Sequence, residues 1–191
     1  KRLSFVLTGG ASPKKLYKKL SRSNINWSNV DFFWGDERFV SKSSKNSNYK
    51  LAKDLLLKKI NINKRNCFSY NTKKKNIVES TYDYKIKLKK YFKGRKIKFD
   101  IFLLGMGRDG HIASIFPSSK ELKEKFIVKP IIRKDFKRIS LSLNIINNSR
   151  KIFLWLNNKS KSSIFTKLKD QGKNIPVNNL TKDKLYCFCI K

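Results

Sequence analysis

His111 is the only histidine in the chain, and it closes the run Gly105-Met106-Gly107-Arg108-Asp109-Gly110-His111. A neutral imidazole can accept a proton and return it near pH 7, which suits it to general base and then general acid work. The glycines ahead of it allow a tight loop whose backbone lies close to a ligand. Asp109 and Asp36 are the two acids suited to orient the ring, and the residues alone do not choose between them. Gly35-Asp36-Glu37-Arg38 sets adjacent carboxylates beside an arginine in a chain with only 13 Asp and Glu. Arg38 suits a developing oxyanion or a carboxylate; Asp36 suits a histidine or a substrate hydroxyl. Thr8-Gly9-Gly10-Ala11-Ser12-Pro13 combines close backbone approach, exposed N–H groups and hydroxyls, which together fit a phosphate. Arg138 and Lys161 add two cations to such an anion site. The chain carries no P-loop and no His/Cys/Asp cluster with metal-ligand spacing. Gly105, Gly107 and Gly110 match the glycine spacing of a dinucleotide loop. That run lies late in the chain, however, and no acid about 20 positions on stands at a strand end, so NAD is not expected.

These runs need elements that deliver them to one place. Each of the first three follows a short apolar stretch: residues 3–7, 30–34 and 99–104. Each stretch reads as a strand. Ser12-Pro13 reads as a helix start, with Ser12 as cap and Pro13 at the first helical position. That helix continues through Leu16, Tyr17 and Leu20. Residues 48–60 carry Leu51, Leu55 and Leu56 on a helical face. Residues 67–70 suit a short strand, and residues 77–92 a long basic helix ended by Gly94. Further strands are expected over 138–143, 151–156 and 185–190, with a helix over 162–170. Strands spaced by helices predict an α/β, Rossmann-like fold with a mostly parallel sheet flanked by helices. In such a sheet ligands bind beyond the carboxyl ends of the strands, where all three polar runs would gather.

A length of 191 residues suits a single domain spanning 1–191, and 39% hydrophobic residues with 14 Phe and 3 Trp support a packed core. The balance of 46 Lys and Arg against 13 Asp and Glu gives a formal charge of +33, the level expected of a nucleic-acid binder. The lysines are spread through nearly every segment rather than gathered in a stripe, and Asn and Ile accompany them. All three residues share A/T-rich codons, so base composition accounts for the bias and no specific nucleic-acid partner is expected. A positive surface still attracts a small anionic substrate. Cys67, Cys187 and Cys189 are an odd number without metal spacing, and buried, reduced thiols are expected. On a strand, Cys187 and Cys189 share one face. No apolar run approaches the ~20 residues of a membrane span, and no signal peptide is visible, so a cytoplasmic protein is the default. The chain begins at Lys1 rather than Met, as a trimmed N-terminus would.

Read together, the motifs resemble the glucosamine-6-phosphate isomerase/6-phosphogluconolactonase family, and within it the 6-phosphogluconolactonases. The resemblance rests on Leu7-Thr8-Gly9-Gly10-Ala11-Ser12-Pro13-Lys14-Lys15-Leu16-Tyr17, Trp34-Gly35-Asp36-Glu37-Arg38-Phe39-Val40, Asn46-Ser47-Asn48-Tyr49, and the segment from Leu104-Gly105 through Gly110-His111-Ile112-Ala113-Ser114-Ile115-Phe116-Pro117. Weaker matches are Lys129-Pro130, Arg138-Ile139-Ser140-Leu141-Ser142 and Lys161. All fall in the family's order across almost the whole chain. The resemblance implies a sugar-phosphate isomerase/CoA-transferase-like fold and hydrolysis of 6-phospho-D-glucono-1,5-lactone to 6-phosphogluconate in the oxidative pentose phosphate pathway. It implies a carboxylic ester hydrolase with no cofactor and no metal. It further implies His111 as the general base that activates water, Asp109 as its positioning partner, Arg38 at the lactone end with Asp36 in support, and the phosphate against Gly9, Gly10, Ser12, Arg138 and Lys161. A monomer or weak homodimer is expected, acting on a small sugar-phosphate lactone.

The chain departs from the family at several places. Thr8 and Ala11 stand where Ser is usual, and Ser12 where Thr is usual. Ser140 and Ser142 replace threonines, and Asn158 stands where a glycine precedes the lysine. Family members carry a helix ahead of the first strand and extend beyond the last, so one sheet face is expected to be under-covered. The rival reading is the deaminase/isomerase branch, which favours Asn-Glu-Pro after Gly-His where this chain has Ser114-Ile115-Phe116-Pro117. A second rival is a basic nucleic-acid-binding module on the same fold.

Overall fold

The computed structural model describes residues 2–156 and 174–189. Five elements lead up to the first helix pair: β1 (Leu3–Leu7), α1 (Lys14–Leu20), β2 (Val30–Trp34), β3 (Asp36–Arg38) and α2 (Asn48–Leu55). They are followed by β4 (Cys67–Phe68), α3 (Ile77–Tyr91), β5 (Ile101–Leu104), β6 (Val128–Ile132), β7 (Lys137–Leu141), α4 (Leu143–Asn147), β8 (Lys151–Leu156) and β9 (Leu185–Cys189). Six strands form a parallel sheet in the order β4-β2-β1-β5-β8-β9. Leu7 pairs with Trp34 at the carboxyl end of one ladder, and Leu104 with Leu154 at that of another. The chain builds outward from β1 to β2 and β4, then returns to lay β5, β8 and β9 on the other side. β1 and β5 therefore flank the switch point, where the carboxyl ends of an α/β sheet leave a crevice.

The central strands β1, β2 and β5 read as apolar runs because they are buried over most of their length. Every residue of β2 is buried, and Phe32, Phe33 and Trp34 join a single cluster of buried apolar side chains with Val6, Leu7, Phe102 and Leu104. Burying each such side chain stabilises by roughly 1.5–3 kcal/mol relative to exposure. Helix α3 starts where Asn76 accepts a hydrogen bond from the Glu79 N–H. It ends at Tyr91, and beyond it Gly94, with φ 71°, donates its N–H to the Lys89 carbonyl at 2.9 Å.

Three buried tyrosines hold the strand exits. Tyr17 on α1 donates its hydroxyl proton to Thr8 O at 2.6 Å and accepts from Thr8 N at 3.0 Å. Tyr84 on α3 does the same at Trp34, at 3.2 Å each way. Tyr70 donates to Gly35 O at 3.3 Å. Burial raises the pKa of all three phenols, so each remains a donor. The loops that leave β1 and β2 are thus fixed at their first residue.

Several expectations are corrected. Ser12 does not cap α1: Pro13 occupies the N-cap position with no side-chain bond, and Ser12 is buried. The helix expected over 48–60 stops at Leu55 and continues as a short 3-10 turn, Leu57–Lys59. Its buried apolar residues are Ala52, Leu56 and Leu57 rather than Leu51 and Leu55. The strand expected from residue 138 does not join the parallel sheet but pairs with Asp36–Arg38, itself a short strand. Together with β6 they form a separate antiparallel sheet in the order β3-β7-β6. Ser142 lies beyond that strand and caps α4, accepting from the Ile145 N–H. Cys187 and Cys189 are exposed, because β9 is the edge strand, and Cys67 is half-buried. The helix expected over 162–170 lies outside the described residues. No helix among the described residues is long and apolar enough to cross a membrane.

Candidate active site

A cavity of about 220 Å³ opens at the switch point. Gly9, Gly10, Ser12, Asp36, Arg38 and His111 all line it, as does Asn48. Loops from three different strand ends thereby converge on one space.

The loop after β5 sets the histidine. Gly107 N–H donates to His111 O at 2.9 Å, and Gly110 N–H to Gly107 O at 3.1 Å, closing a tight turn that Gly110 permits with φ 85°. A Cβ on Gly107 would fall 2.2 Å from the imidazole, so the ring lies where only glycine leaves room. His111 Nδ1 lies 2.6 Å from Asp109 Oδ1, and the same oxygen accepts from the His111 backbone N–H at 3.2 Å. Hydrogen bonding to the histidine holds the Asp109 carboxyl below its ordinary range. An ionised partner at Nδ1 assigns that nitrogen the proton and leaves the Nε2 lone pair as the base. The ring packs against Phe116 at 4.7 Å between centroids. Next to this loop, Ala113 adopts φ 49°, a conformation that costs a non-glycine residue energy and clusters at functional sites.

The acid that touches His111 is therefore Asp109. Asp36 is buried and otherwise engaged: Ser114 Oγ donates to its Oδ2 at 2.6 Å, and Asn48 Nδ2 donates to its Oδ1 at 3.1 Å. Arg38 Nη1 donates to Asn46 O and to Asn48 Oδ1, both at 3.0 Å. Its Nε is buried without a hydrogen-bond partner among the described residues. Glu37 points away from the cavity into the start of α2. There its carboxylate accepts from the N–H groups of Arg38, Asn48 and Tyr49 at 2.9, 2.7 and 2.8 Å, and from Ser47 Oγ at 3.2 Å. Burial outweighs these donors and pushes its pKa up to about 7.

Arg138 does not line the cavity. Its guanidinium forks Asp135, with Nη1 at 2.9 Å and Nη2 at 2.6 Å from the two carboxylate oxygens. It lies 5.4 Å from the Phe116 ring, and Arg133 lies 4.3 Å from the same ring. The Phe116 ring is therefore in contact with the imidazole and with two guanidinium groups. Lys161 and Asn158 lie outside the described residues. Sequence reasoning assigned nothing to Asn48, Ser114, Arg133 or Asp135. Asn48 and Ser114 had a signal, as parts of Asn46-Ser47-Asn48-Tyr49 and of the run from Gly110 to Pro117.

Comparison with known proteins shows the family to which this fold belongs. A family model described as glucosamine-6-phosphate isomerases/6-phosphogluconolactonase matches residues 1–187. A 6-phosphogluconolactonase of Synechocystis sp. is 32% identical over 83% of this chain and 68% of its own length. A probable 6-phosphogluconolactonase of Arabidopsis thaliana is 32% identical over 83% of this chain and 65% of its own length. The chain thus spans about two thirds of these curated relatives. The crystal structure of 6-phosphogluconolactonase from Thermotoga maritima superposes with a TM-score of 0.88 at 26% identity, covering 100% of this chain and 86% of that one. Sequence motifs, the sheet with its switch point and these likenesses lead to one conclusion: the chain belongs to the glucosamine-6-phosphate isomerase/6-phosphogluconolactonase family.

Proposed function

We propose that the chain hydrolyses 6-phospho-D-glucono-1,5-lactone to 6-phosphogluconate. The observation that carries this reading is the His111–Asp109 pair, 2.6 Å apart, on the wall of a cavity shared with Arg38 and the Gly9-Gly10 loop. His111 Nε2 takes a proton from water as the oxygen adds to the lactone carbonyl. Arg38 stabilises the resulting oxyanion. The tetrahedral species collapses with cleavage of the bond from carbonyl carbon to ring oxygen, and the imidazolium returns its proton to that oxygen. Water is thereby split between the two new ends, and nothing is oxidised or reduced. Asp109 fixes the tautomer and balances the transient imidazolium. A positioned base contributes typically ~10²–10⁴ in rate, and oxyanion stabilisation a comparable factor.

The phosphate lies against Gly9, Gly10 and Ser12, with Arg138 and Lys161 completing its neutralisation. Gly10 takes φ 78°, which favours glycine where a backbone turns toward a ligand. Arg138 reaches the phosphate by exchanging Asp135 for it. The protein works in the cytosol, as a single domain and a monomer or weak homodimer. The test supplies freshly generated lactone and follows its loss above the spontaneous rate, with ammonia release from glucosamine-6-phosphate measured in parallel. Accelerated lactone loss without ammonia is expected. Lactone decay at the spontaneous rate with folded protein would defeat the reading, and ammonia release would move it to the deaminase branch.

A further inference from the structure

Asn46-Ser47-Asn48-Tyr49 takes no part in the chemistry above, yet Asn48 stands on the cavity wall with 2% of its surface exposed. It is the first residue of α2, behind the Ser47 cap. Its Nδ2 donates to Asp36 O at 2.9 Å and Asp36 Oδ1 at 3.1 Å, while its Oδ1 accepts from Arg38 Nη1 at 3.0 Å. Turning the amide over would set its oxygen against a carboxylate and a carbonyl, and its NH₂ against a guanidinium. The neighbours therefore dictate its orientation.

Asp36 and Arg38 are alternate residues of one strand, so their side chains leave the same face. Opposite charges so placed would pair directly. No ion pair joins them among the described residues; the Asn48 amide stands between, offering its donor end to the acid and its acceptor end to the base. A second observation concerns Gly9. A Cβ there would fall 1.7 Å from Asn48 Oδ1 and 2.1 Å from Asn48 Cγ, and no other residue supplies its three nearest contacts. The positive-φ glycines are Gly10, Gly94 and Gly110, so the backbone at Gly9 does not itself demand glycine.

We infer that Asn48 is a positioning residue, a neutral spacer that keeps Arg38 from being neutralised by Asp36, and that position 9 is glycine in order to admit it. The kinetic part rests on the lactonase reading. Asn48→Ala is expected to lower kcat about 10–100-fold with a smaller change in KM, because the guanidinium acts on charge that develops in the transition state. Asn48→Asp keeps the acceptor for Arg38 but sets a carboxylate against Asp36. The pair then shares a proton, and activity relative to wild type falls as pH rises; a purely structural defect would lower it equally at every pH.

The deciding experiment is a double-mutant cycle of Gly9→Ala and Asn48→Ala, read in kcat and in urea midpoint. Gly9→Ala is expected to be costly alone and to add little once Asn48 is Ala. Equal cost of Gly9→Ala in both backgrounds, unchanged kcat in Asn48→Ala, or a pH-independent loss in Asn48→Asp would each overturn the inference. If wild type shows no lactonase activity, the functional reading falls, and the cycle in urea midpoints still decides whether Gly9 serves Asn48.

Discussion

Two carboxylates near the cavity ionise in opposite directions from the ordinary acid. Asp109 is held low by His111, so it is charged across neutral pH and available to the imidazolium. Replacing it with Asn removes the charge and permits the wrong tautomer; kcat is expected to fall about 10²-fold or more with intact folding by circular dichroism. Glu37 is pushed up to about 7 by burial, against an ordinary value of 4.5. The folded state therefore holds this proton more tightly than the unfolded state. The associated stability is present in full below pH 4.5 and is lost as pH rises through about 7. The loss is at most about 3 kcal/mol. Urea titrations of wild type and Glu37→Gln across pH 4 to 8 should show the wild type losing ground to the variant as pH rises, and a constant gap would contradict this. At this scale the sequence was informative where chemistry is carried by one side chain. That His111 and Arg38 share one cavity was legible from type and spacing, whereas the choice of Asp109 over Asp36 as the histidine's partner came only with the 2.6 Å contact. The partner choice of Asp36 was not legible either, because Ser114 reaches it from 78 positions away.

The first two strands end where a buried tyrosine hydroxyl grips both the N–H and the carbonyl of one residue, Thr8 after β1 and Trp34 at the end of β2. Tyr17→Phe leaves Thr8 N and O unpaired in the interior and is expected to cost about 1–3 kcal/mol in urea unfolding. It should also raise KM, since Thr8 leads directly into the Gly9-Gly10 loop; an unchanged KM would separate the clamp from the site. Most parallel strands were legible as apolar runs, since burial over most of their length demands them. The antiparallel sheet β3-β7-β6 was not. Asp36-Glu37-Arg38 is three charged residues in succession, which reads as a turn. It is a strand because Ser140, Ile139 and Arg138 pair with it and because its acids find buried donors. The Ser12 cap failed for a related reason: Ser12 faces the cavity instead of the helix it precedes.

Across the molecule, the reversal of strand order between β1 and β5 gathers motifs separated by about a hundred residues into one crevice. A net charge of +33 gives the whole molecule a positive field that attracts an anionic substrate. Raising ionic strength from about 0.02 to 0.5 M shortens the screening length several-fold. kcat/KM is expected to fall about 10-fold while kcat changes little, as stopped-flow assays would read. A matching fall in kcat would place the salt effect on the chemistry instead. That the strand-end loops converge was legible from the sequence; that Arg138 stands apart was not: its fork on Asp135 closes within the β6–β7 hairpin, and its contact with Phe116 depends on where that hairpin meets the segment after His111.

The most direct measurement compares wild type and His111→Ala on freshly generated 6-phosphogluconolactone, with folding of both checked by urea titration. Lactone loss well above the spontaneous rate in wild type, reduced about 10²–10⁴-fold in the variant, is the predicted result. Equal rates in two folded proteins would contradict the assignment of His111 as the base.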